Sequence, residues 1–463
     1  MTDERVPDRA WADAARGRGF TGDVVEPGDP SYDEARRVWN GMIDRRPAAV
    51  FRAVSVADVR TVIALARENG LPLAVRGGGH GLPGFGTCDD GLVLDLGRIA
   101  DVTVDPETRT ARVGGGATWA TVDAATHPFG LATPGGLVST TGVGGLTLGG
   151  GMGWLARAYG LSCDNVLSAQ LVVASGDIVV ASPSENSDLL WAIRGGGGNF
   201  GVVTEFEFAL HPVSMVSAGF ILFPLERALA VGRAYRRWLE TLSDACTTML
   251  VFLTAPDSDF VPAALRSRPS VAIVGCHIGS VEAAAADLAP IRSLGPLVDL
   301  FDRLPFPEFQ RFFDSEVPAG RRYYFKGIFG SLPDEAVETV VAWMDRRPSA
   351  ANEVDIHHLG GAVARVAEDA TAFVDRSSPF TFNVYSNWED RATDEENQAW
   401  ARGLVSALER FGSGRAYVNF ATDAGRPDEV EAAYGRERHE RLVALKRRWD
   451  PGNLFRLNQN IRP

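Results

Sequence analysis

Four glycine clusters, at residues 77–81, 114–116, 142–153 and 195–201, constrain this chain more than any other feature. Glycine loses more conformational freedom on folding than any other residue, so clusters this dense need a compensating role. The chain carries 50 glycines in 463 residues, above the ~7% of average usage. Tight turns between strands account for the short cluster at 114–116. They do not account for "GVGGLTLGGGMG", where backbone amides lying against a diphosphate or a planar ring are the better explanation. "AVRGGGHG", residues 74–81, sets one imidazole, His80, directly after three positions stripped of side chains. A site that presses backbone against a flat ligand, with a nucleophile at its edge, has that need.

The elements around the clusters are short. The first forty residues are polar and Pro/Gly-punctuated, with one helix expected around Tyr32 to Met42. "AAVFRAV" reads as a strand. Ser55 sits at an N-cap position with Asp58 three residues later, and Val59, Val62, Ile63 and Ala66 recur at helical spacing. "LPLAVR" is the strand that feeds the glycine–histidine loop. "AQLVVASGDIVVAS" reads as a hairpin turning at Ser175, Gly176 and Asp177. Beyond His211 the glycine clusters vanish. Strands such as "SVAIVGCHIG" then alternate with amphipathic helices such as "DEAVETVVAWMDRR", which predicts a second unit with an antiparallel sheet. "AYVNFAT" reads as a strand, helices follow from about Asp428 with a break near Gly435, and the tail "NLFRLNQNIRP" is expected to pack back on the first unit.

Net charge is −13 and the pI about 5.1, which argues against nucleic acid and anionic membrane surfaces as partners. Cys88, Cys163, Cys246 and Cys276 are widely spaced with no CxxC pair, so no metal site is expected. The N-terminus lacks an apolar h-region, and no run approaches the ~18 apolar residues of a membrane span. A reducing cytoplasm is the expected home.

Two nucleotide motifs can be weighed. Gly151, Gly153 and Ala156 fit GxGxxA with Asp177 further on, but the segment before them is glycine and threonine rather than a buried strand. No GxxxxGK[ST] occurs. The run "FRAVSVADVRTVIALARENGLPLAVRGGGHGLPGFGTCDDGLVLDL" resembles the FAD-binding domain of the vanillyl-alcohol oxidase/p-cresol methylhydroxylase (PCMH) superfamily. "GVGGLTLGGGMGWLARAYGLSCDNV" and "YVNF…WDPGNLFRLNQNIRP" narrow the resemblance to the berberine-bridge-enzyme-like oxidoreductases, over nearly the whole chain.

The resemblance implies an α+β chain: a two-domain PCMH-type FAD-binding fold with an α+β substrate domain carrying an antiparallel sheet. Residues 1–45 would be a surface segment, 46–212 the FAD-binding domain, 213–414 the substrate domain, and 415–463 a segment returning to the FAD domain. It further implies that Arg76, Gly77, Gly78, Gly79, His80 and Gly81 form a loop over the flavin diphosphate, with His80 bonded covalently to the 8α-methyl of FAD. Neutral imidazole is nucleophilic near its pKa of about 6.5, which suits that chemistry. Thr141, Gly142, Gly144, Gly145, Gly151, Gly153 and Trp154 would line the flavin. Asp164 and Asn165 would bond its pyrimidine edge, Gly201 and Val203 would pack along the adenosine, Tyr417 and Asn419 would also contact the cofactor, and Asn458 and Asn460 would reach it from the tail.

The chain departs from the family pattern twice. Many members carry a second covalent link from a cysteine in "GxCPxxGxGG"; here "GLVSTTGVGG" has Val138 at that position, so one link is expected. Cys163 lies elsewhere and is expected to be a packed residue. Many members also use the last tyrosine of YxNY as a base; here Tyr417-Val418-Asn419-Phe420 ends in phenylalanine, which has no hydroxyl. In a strand, alternation would put Tyr417 and Asn419 on one face and Phe420 on the other. "NEVDIHHLGGAVARV" offers a replacement. Asp355 and His357 share a face and make a reasonable general-base unit. Asp355 is the first choice, His357 the second, and Tyr417 a third that needs its phenol tuned.

The expected function is therefore an FAD-dependent oxidase with a single histidyl link. It would oxidise a C–H bond next to a hydroxyl or amine of a small molecule, with O2 as acceptor and Thr141 leaving room for oxygen. Two alternatives stay open: an oxygenase acting on a polyketide-like or aromatic substrate, and a catalytically idle flavin-binding protein. A monomer or homodimer is expected.

Overall fold

Period-two patterning along "VSAGFILF", "TMLVFLT" and "SVAIVGC" builds the largest sheet in the molecule. The computed structural model describes residues 10–422 and 427–463; the first nine residues of the N-terminal segment lie outside them. Seven strands of this sheet run in the spatial order Val298–Asp299, Met215–Pro224, Pro269–His277, Cys246–Thr254, Glu353–His358, Phe380–Trp388, Arg322–Gly330. An eighth, Asp302–Pro305, pairs with Met215–Pro224, and every pairing is antiparallel.

Because side chains alternate across a sheet, each strand sends one set of residues to each face. Ile221, Phe223, Leu250, Phe252, Ile273, Ile356 and Phe382 pack against Tyr235, Trp238, Val337, Val340, Trp400 and Leu404. Those partners lie on the helices Ala228–Leu239, Asp334–Met344 and Asp394–Leu408. Each large apolar side chain buried there contributes ~1.5–3 kcal/mol. The opposite face, carrying Phe220, Met249, Val251, Val274 and Asp355, opens onto a cleft.

The glycine-rich half contributes a four-stranded sheet, a five-stranded sheet and a short pairing of Leu131–Ala132 with His211–Pro212. Leu92–Asp95 pairs in parallel with both Ala49–Arg52 and Leu73–Arg76, and Asp23–Val25 adds an antiparallel edge. The crossover between Ala49–Arg52 and Leu73–Arg76 is the helix Val56–Glu68, capped as expected, with the Ser55 hydroxyl accepting from Asp58 N at 3.2 Å. Thr110–Gly114, Val202–Ala209 and Val166–Val172 form the centre of a five-stranded antiparallel sheet. The expected hairpin at Ser175–Asp177 joins Val166–Val172 to Ile178–Ala181.

The tail returns to this half. Ile461 N donates to Asn199 Oδ1 at 3.0 Å, and the buried Lys446 ammonium donates to Asp450, Asn199 O and Phe455 O. The C-terminal helices Pro427–Tyr434 and Arg436–Trp449 break at Gly435, whose φ of 73° suits glycine.

Two sequence expectations need correction. The helix around Tyr32–Met42 stops after Tyr32–Ala35. Tertiary bonds win beyond it: Asn40 Nδ2 donates to Leu82 O and Tyr323 O, each at 2.9 Å. The segment "AYVNFAT" is a 3-10 turn at Val418–Phe420, held to the edge of the large sheet by the Lys326–Ala421 bridge and by hydrogen bonds between Phe325 and Thr422. Among the described residues, no helix is long and apolar enough to cross a membrane.

Candidate active site

A cleft of about 920 Å³ separates the glycine loops from the open face of the large sheet. Its size suits a cofactor-sized ligand. Arg76 closes the strand Leu73–Arg76, bound to Asp95 at 2.8 Å, and the chain then turns along the cleft through Gly77, Gly78, Gly79, His80 and Gly81. Gly78 is glycine because the second loop lies against it. A Cβ there would sit 2.4 Å from Gly142 N, and one on Gly142 would sit 2.3 Å from Gly78 N. The two loops thus meet backbone to backbone. Gly81, Gly145 and Gly198 differ: a Cβ on any of them would find no atom within 4 Å, and all three face the cleft. They form a cradle of bare backbone with space in front of it.

His80 stands at the edge of this cradle. Its Nε2 shares a hydrogen bond with the Thr140 hydroxyl at 3.2 Å. Its ring stacks on Trp39, with centroids 5.0 Å apart and planes 17° apart. Trp39 in turn stacks on Tyr323 of the large sheet at 3.7 Å. Burial lowers the His80 pKa to about 4, so the ring is neutral at neutral pH and its nitrogen lone pair is available. Val138 lines the same cleft. Cys163 is fully buried, and burial pushes its thiol well up, so it is no nucleophile.

Thr141, Gly142, Gly144, Gly145, Trp154, Gly201, Val203, Tyr417, Asn419 and Asn458 also line the cleft. Other expected positions lie behind its wall. A Cβ on Gly151 would sit 2.3 Å from Ser162 Oγ, and one on Gly153 2.3 Å from Gly135 O, so these glycines serve close packing. Asp164 faces away: it pairs with the buried Arg376 at 2.6 Å and accepts from Leu161 N at 2.9 Å. Asn165 is spent on Leu161 O, Tyr159 O and His211. Neither reaches the cleft, which corrects their assignment to a pyrimidine edge. In the tail, Asn458 and Gln459 line the cleft and Asn460 does not.

Tyr417 is held by its surroundings rather than aimed at a ligand. Its oxygen accepts from Gly151 N at 2.9 Å, Met152 N at 3.3 Å and Asn419 Nδ2 at 2.9 Å. Burial pushes the phenol up to about 12 against the pull of those donors, so it is a poor base at neutral pH. Tyr417→Phe leaves two buried N–H groups without this acceptor. The expected cost is ~1–3 kcal/mol of stability, read as a lower denaturant midpoint.

Asp355 does reach the cleft, with Glu353 two residues away on the same face. Burial raises both carboxyls. For Asp355 the result is about 7, and for Glu353 the neighbouring Asp355 and Glu316 add to the rise. His357 shares their face but is covered: it packs against Phe420 at 5.6 Å, it is not part of the cleft wall, and burial lowers its pKa to about 4. The expected Asp355–His357 unit is therefore replaced by an Asp355–Glu353 pair.

The sequence reading missed Trp39, Thr140, Asn383, Tyr385 and Asn387. The last three alternate along "FTFNVYSNW", a polar set at period two facing one side, while Phe380, Phe382, Val384 and Trp388 face the other, and that alternation is a readable signal.

Residues 47–182 match the family model described as FAD binding domain, and residues 416–462 that described as berberine and berberine like. An FAD-linked oxidoreductase of Bacillus subtilis is 32% identical over 455 residues, covering 96% of this chain and 97% of the relative. The (R)-6-hydroxynicotine oxidase of Paenarthrobacter nicotinovorans is 32% identical over 467 residues, covering 96% and 97%. The crystal structure of 6-hydroxy-D-nicotine oxidase from Arthrobacter nicotinovorans superposes with a TM-score of 0.85 at 30% identity, covering 96% of this chain and 98% of that one. The bare-backbone cradle fits the cofactor these proteins share, and the chain belongs to the berberine-bridge-enzyme-like family of FAD-linked oxidoreductases.

Proposed function

We propose that the protein is an oxidase that holds FAD by one covalent bond, from His80, and removes hydride from a carbon bearing a hydroxyl or amine, with O2 as final acceptor. The observation that carries this reading is the opposition of two walls across one cleft. On one side lie backbone glycines with a neutral imidazole at their edge; on the other lies Asp355. Bound FAD would supply the hydride acceptor and the route of electrons to O2.

The chain's own residues do the rest. The Gly77–Gly81 and Thr141–Gly145 loops present N–H groups and leave room for a flat ring. Trp39 and Thr140 fix the orientation of the His80 imidazole. Gly201 and Val203 would pack along the adenosine, with Asn419 and Asn458 reaching toward the flavin. Asp355 takes the O–H or N–H proton as hydride leaves the carbon. A carboxylate raised to about 7 is matched to base duty near neutral pH. Residues 46–212 and 415–463 act as the cofactor unit and residues 213–414 as the substrate unit. The segregation of the large sheet between residues 215 and 388 supports this division.

The test is anaerobic mixing of the holoenzyme with alcohols, sugars, amines and polyketide-like phenols, followed by air. An oxidase bleaches its flavin absorbance with a substrate, regains it in air, and yields one peroxide per product with no oxygen-18 from labelled O2 in the product. Label in the product would establish an oxygenase instead. No bleaching with any class would leave a flavin-binding protein without redox activity.

A further inference from the structure

We propose that Asp314 is a positioning residue for the attachment of FAD to His80, and that the strap carrying it, residues 306–321, makes that bond depend on the large-sheet half of the molecule. The proposal rests on the covalent reading above and goes beyond it. The strap joins the strand Asp302–Pro305 to the strand Arg322–Gly330, so both of its ends belong to the large sheet. Its middle crosses to the glycine-rich half. Gln310 Nε2 donates to Gly136 O at 2.7 Å. Both oxygens of the Asp314 carboxylate accept from Ser139, one from its N–H at 2.9 Å and one from its hydroxyl at 2.6 Å. The strap thus grips the loop on either side of Val138.

The two side chains that flank His80 both hang on this strap. Thr140, whose hydroxyl shares the hydrogen bond with His80 Nε2, follows Ser139 directly. Trp39, which stacks on the imidazole, donates its indole N–H to Val317 O at 3.0 Å, and its carbonyl accepts from Gly320 N at 2.9 Å. Hydrogen bonds to a carboxylate are charge-assisted. Removing it strips two donors of a buried residue of their acceptor and frees the loop to shift. The grip belongs to this chain's own sequence. In the pattern GxCPxxGxGG the place of Ser139 is a proline, which has neither an N–H nor a hydroxyl to give.

Attachment forms a bond between a ring nitrogen of His80 and the 8α carbon of FAD. An N–H bond and a C–H bond break, the two protons and two electrons pass to the ring system, and O2 removes them as peroxide. The imidazole must meet one carbon at bonding distance, and a misplacement of about 1 Å costs on the order of 10²-fold in such a step. Asp314 therefore acts on the rate of bond formation, whereas the glycine cradle holds FAD before the bond forms.

The test uses the full chain, produced in riboflavin-starved cells and mixed with FAD in air. Two quantities are read: the rate at which flavin becomes acid-stable, and FAD affinity on a His80→Ala background, where no bond forms. Asp314→Ala is expected to attach flavin roughly 10- to 100-fold more slowly, with affinity within about threefold of the unaltered value. Asp314→Asn can accept from Ser139 N and donate to its hydroxyl, and is expected to keep the rate within about threefold. An unslowed Asp314→Ala overturns the proposal. So does a parallel loss of rate and affinity, which would make Asp314 a plain structural support, and so does Asp314→Asn as slow as Asp314→Ala. Ser139→Ala, which deletes one oxygen and keeps the backbone bond, gives the answer where Asp314→Ala fails to fold: slower attachment at unchanged affinity supports the proposal, and an unchanged rate overturns it. Attachment that Asp314→Ala leaves unslowed keeps the covalent reading and sinks only this one; flavin that never becomes acid-stable in the unaltered protein sinks both.

Discussion

Asp355→Asn is expected to lower kcat/KM by ~10²–10⁴-fold, the range associated with loss of a positioned general base. Flavin content and spectrum should be unchanged, because Asp355 stands on the substrate sheet, across the cleft from the glycine loops. The pH profile gives the sharper reading. With the carboxyl raised to about 7, the active ionised form is lost as pH falls through that value. The unaltered protein should therefore show an acid limb in kcat/KM near pH 7 that the variant lacks. A variant with full activity and the same limb would move the proton acceptor elsewhere. Glu353, the neighbour whose charge is coupled to it, would be the first place to look.

A second large effect is expected from a pair of glycine substitutions that look alike in sequence. Gly145→Ala adds a methyl where no atom lies within 4 Å, in the helix Val143–Leu148. There alanine is preferred over glycine by up to ~1 kcal/mol. The protein without flavin should be as stable as before or slightly more so. FAD binding should nonetheless weaken, because the methyl enters the space assigned to FAD; the effect is read on a His80→Ala background, where no covalent bond holds the flavin. An overpacking cost of ~1–3 kcal/mol corresponds there to roughly 5- to 150-fold weaker affinity. Gly78→Ala should lose both properties, since its methyl would meet Gly142 backbone at 2.4 Å and drive the two loops apart. Flavin-to-protein absorbance ratios and denaturant midpoints of the two variants separate the cases. Equal FAD affinity of His80→Ala with and without Gly145→Ala would place the cofactor away from this cradle.

Much of the cleft's lining is legible in the sequence. The glycine clusters, His80 beside them and the unusual Val138 could be read directly, because bare backbone and a lone imidazole are local signals. The antiparallel sheet also showed in its alternation. What sequence could not supply was direction. Asp164 and Asn165 sit beside a glycine loop in sequence, yet Arg376 and His211, more than 40 residues away, draw them off the cleft. Tyr417 and Asn419 look like alternating strand residues, but the Gly151 and Met152 amides pull the phenol into a turn and make it structural. Trp39 comes from a segment with no recognisable motif, and only the stacking between Tyr323 and His80 gives it meaning. Period-two reading placed His357 on the correct face; the Phe420 ring that covers it arrives from residues distant in sequence.

The most direct measurement is acid precipitation of the purified protein, with the pellet and supernatant read for flavin. A bond from His80 keeps the yellow colour, and flavin fluorescence on a denaturing gel, with the polypeptide, and His80→Ala sends both to the supernatant. Colour that leaves the unaltered protein under acid, or that stays with His80→Ala, would contradict the account.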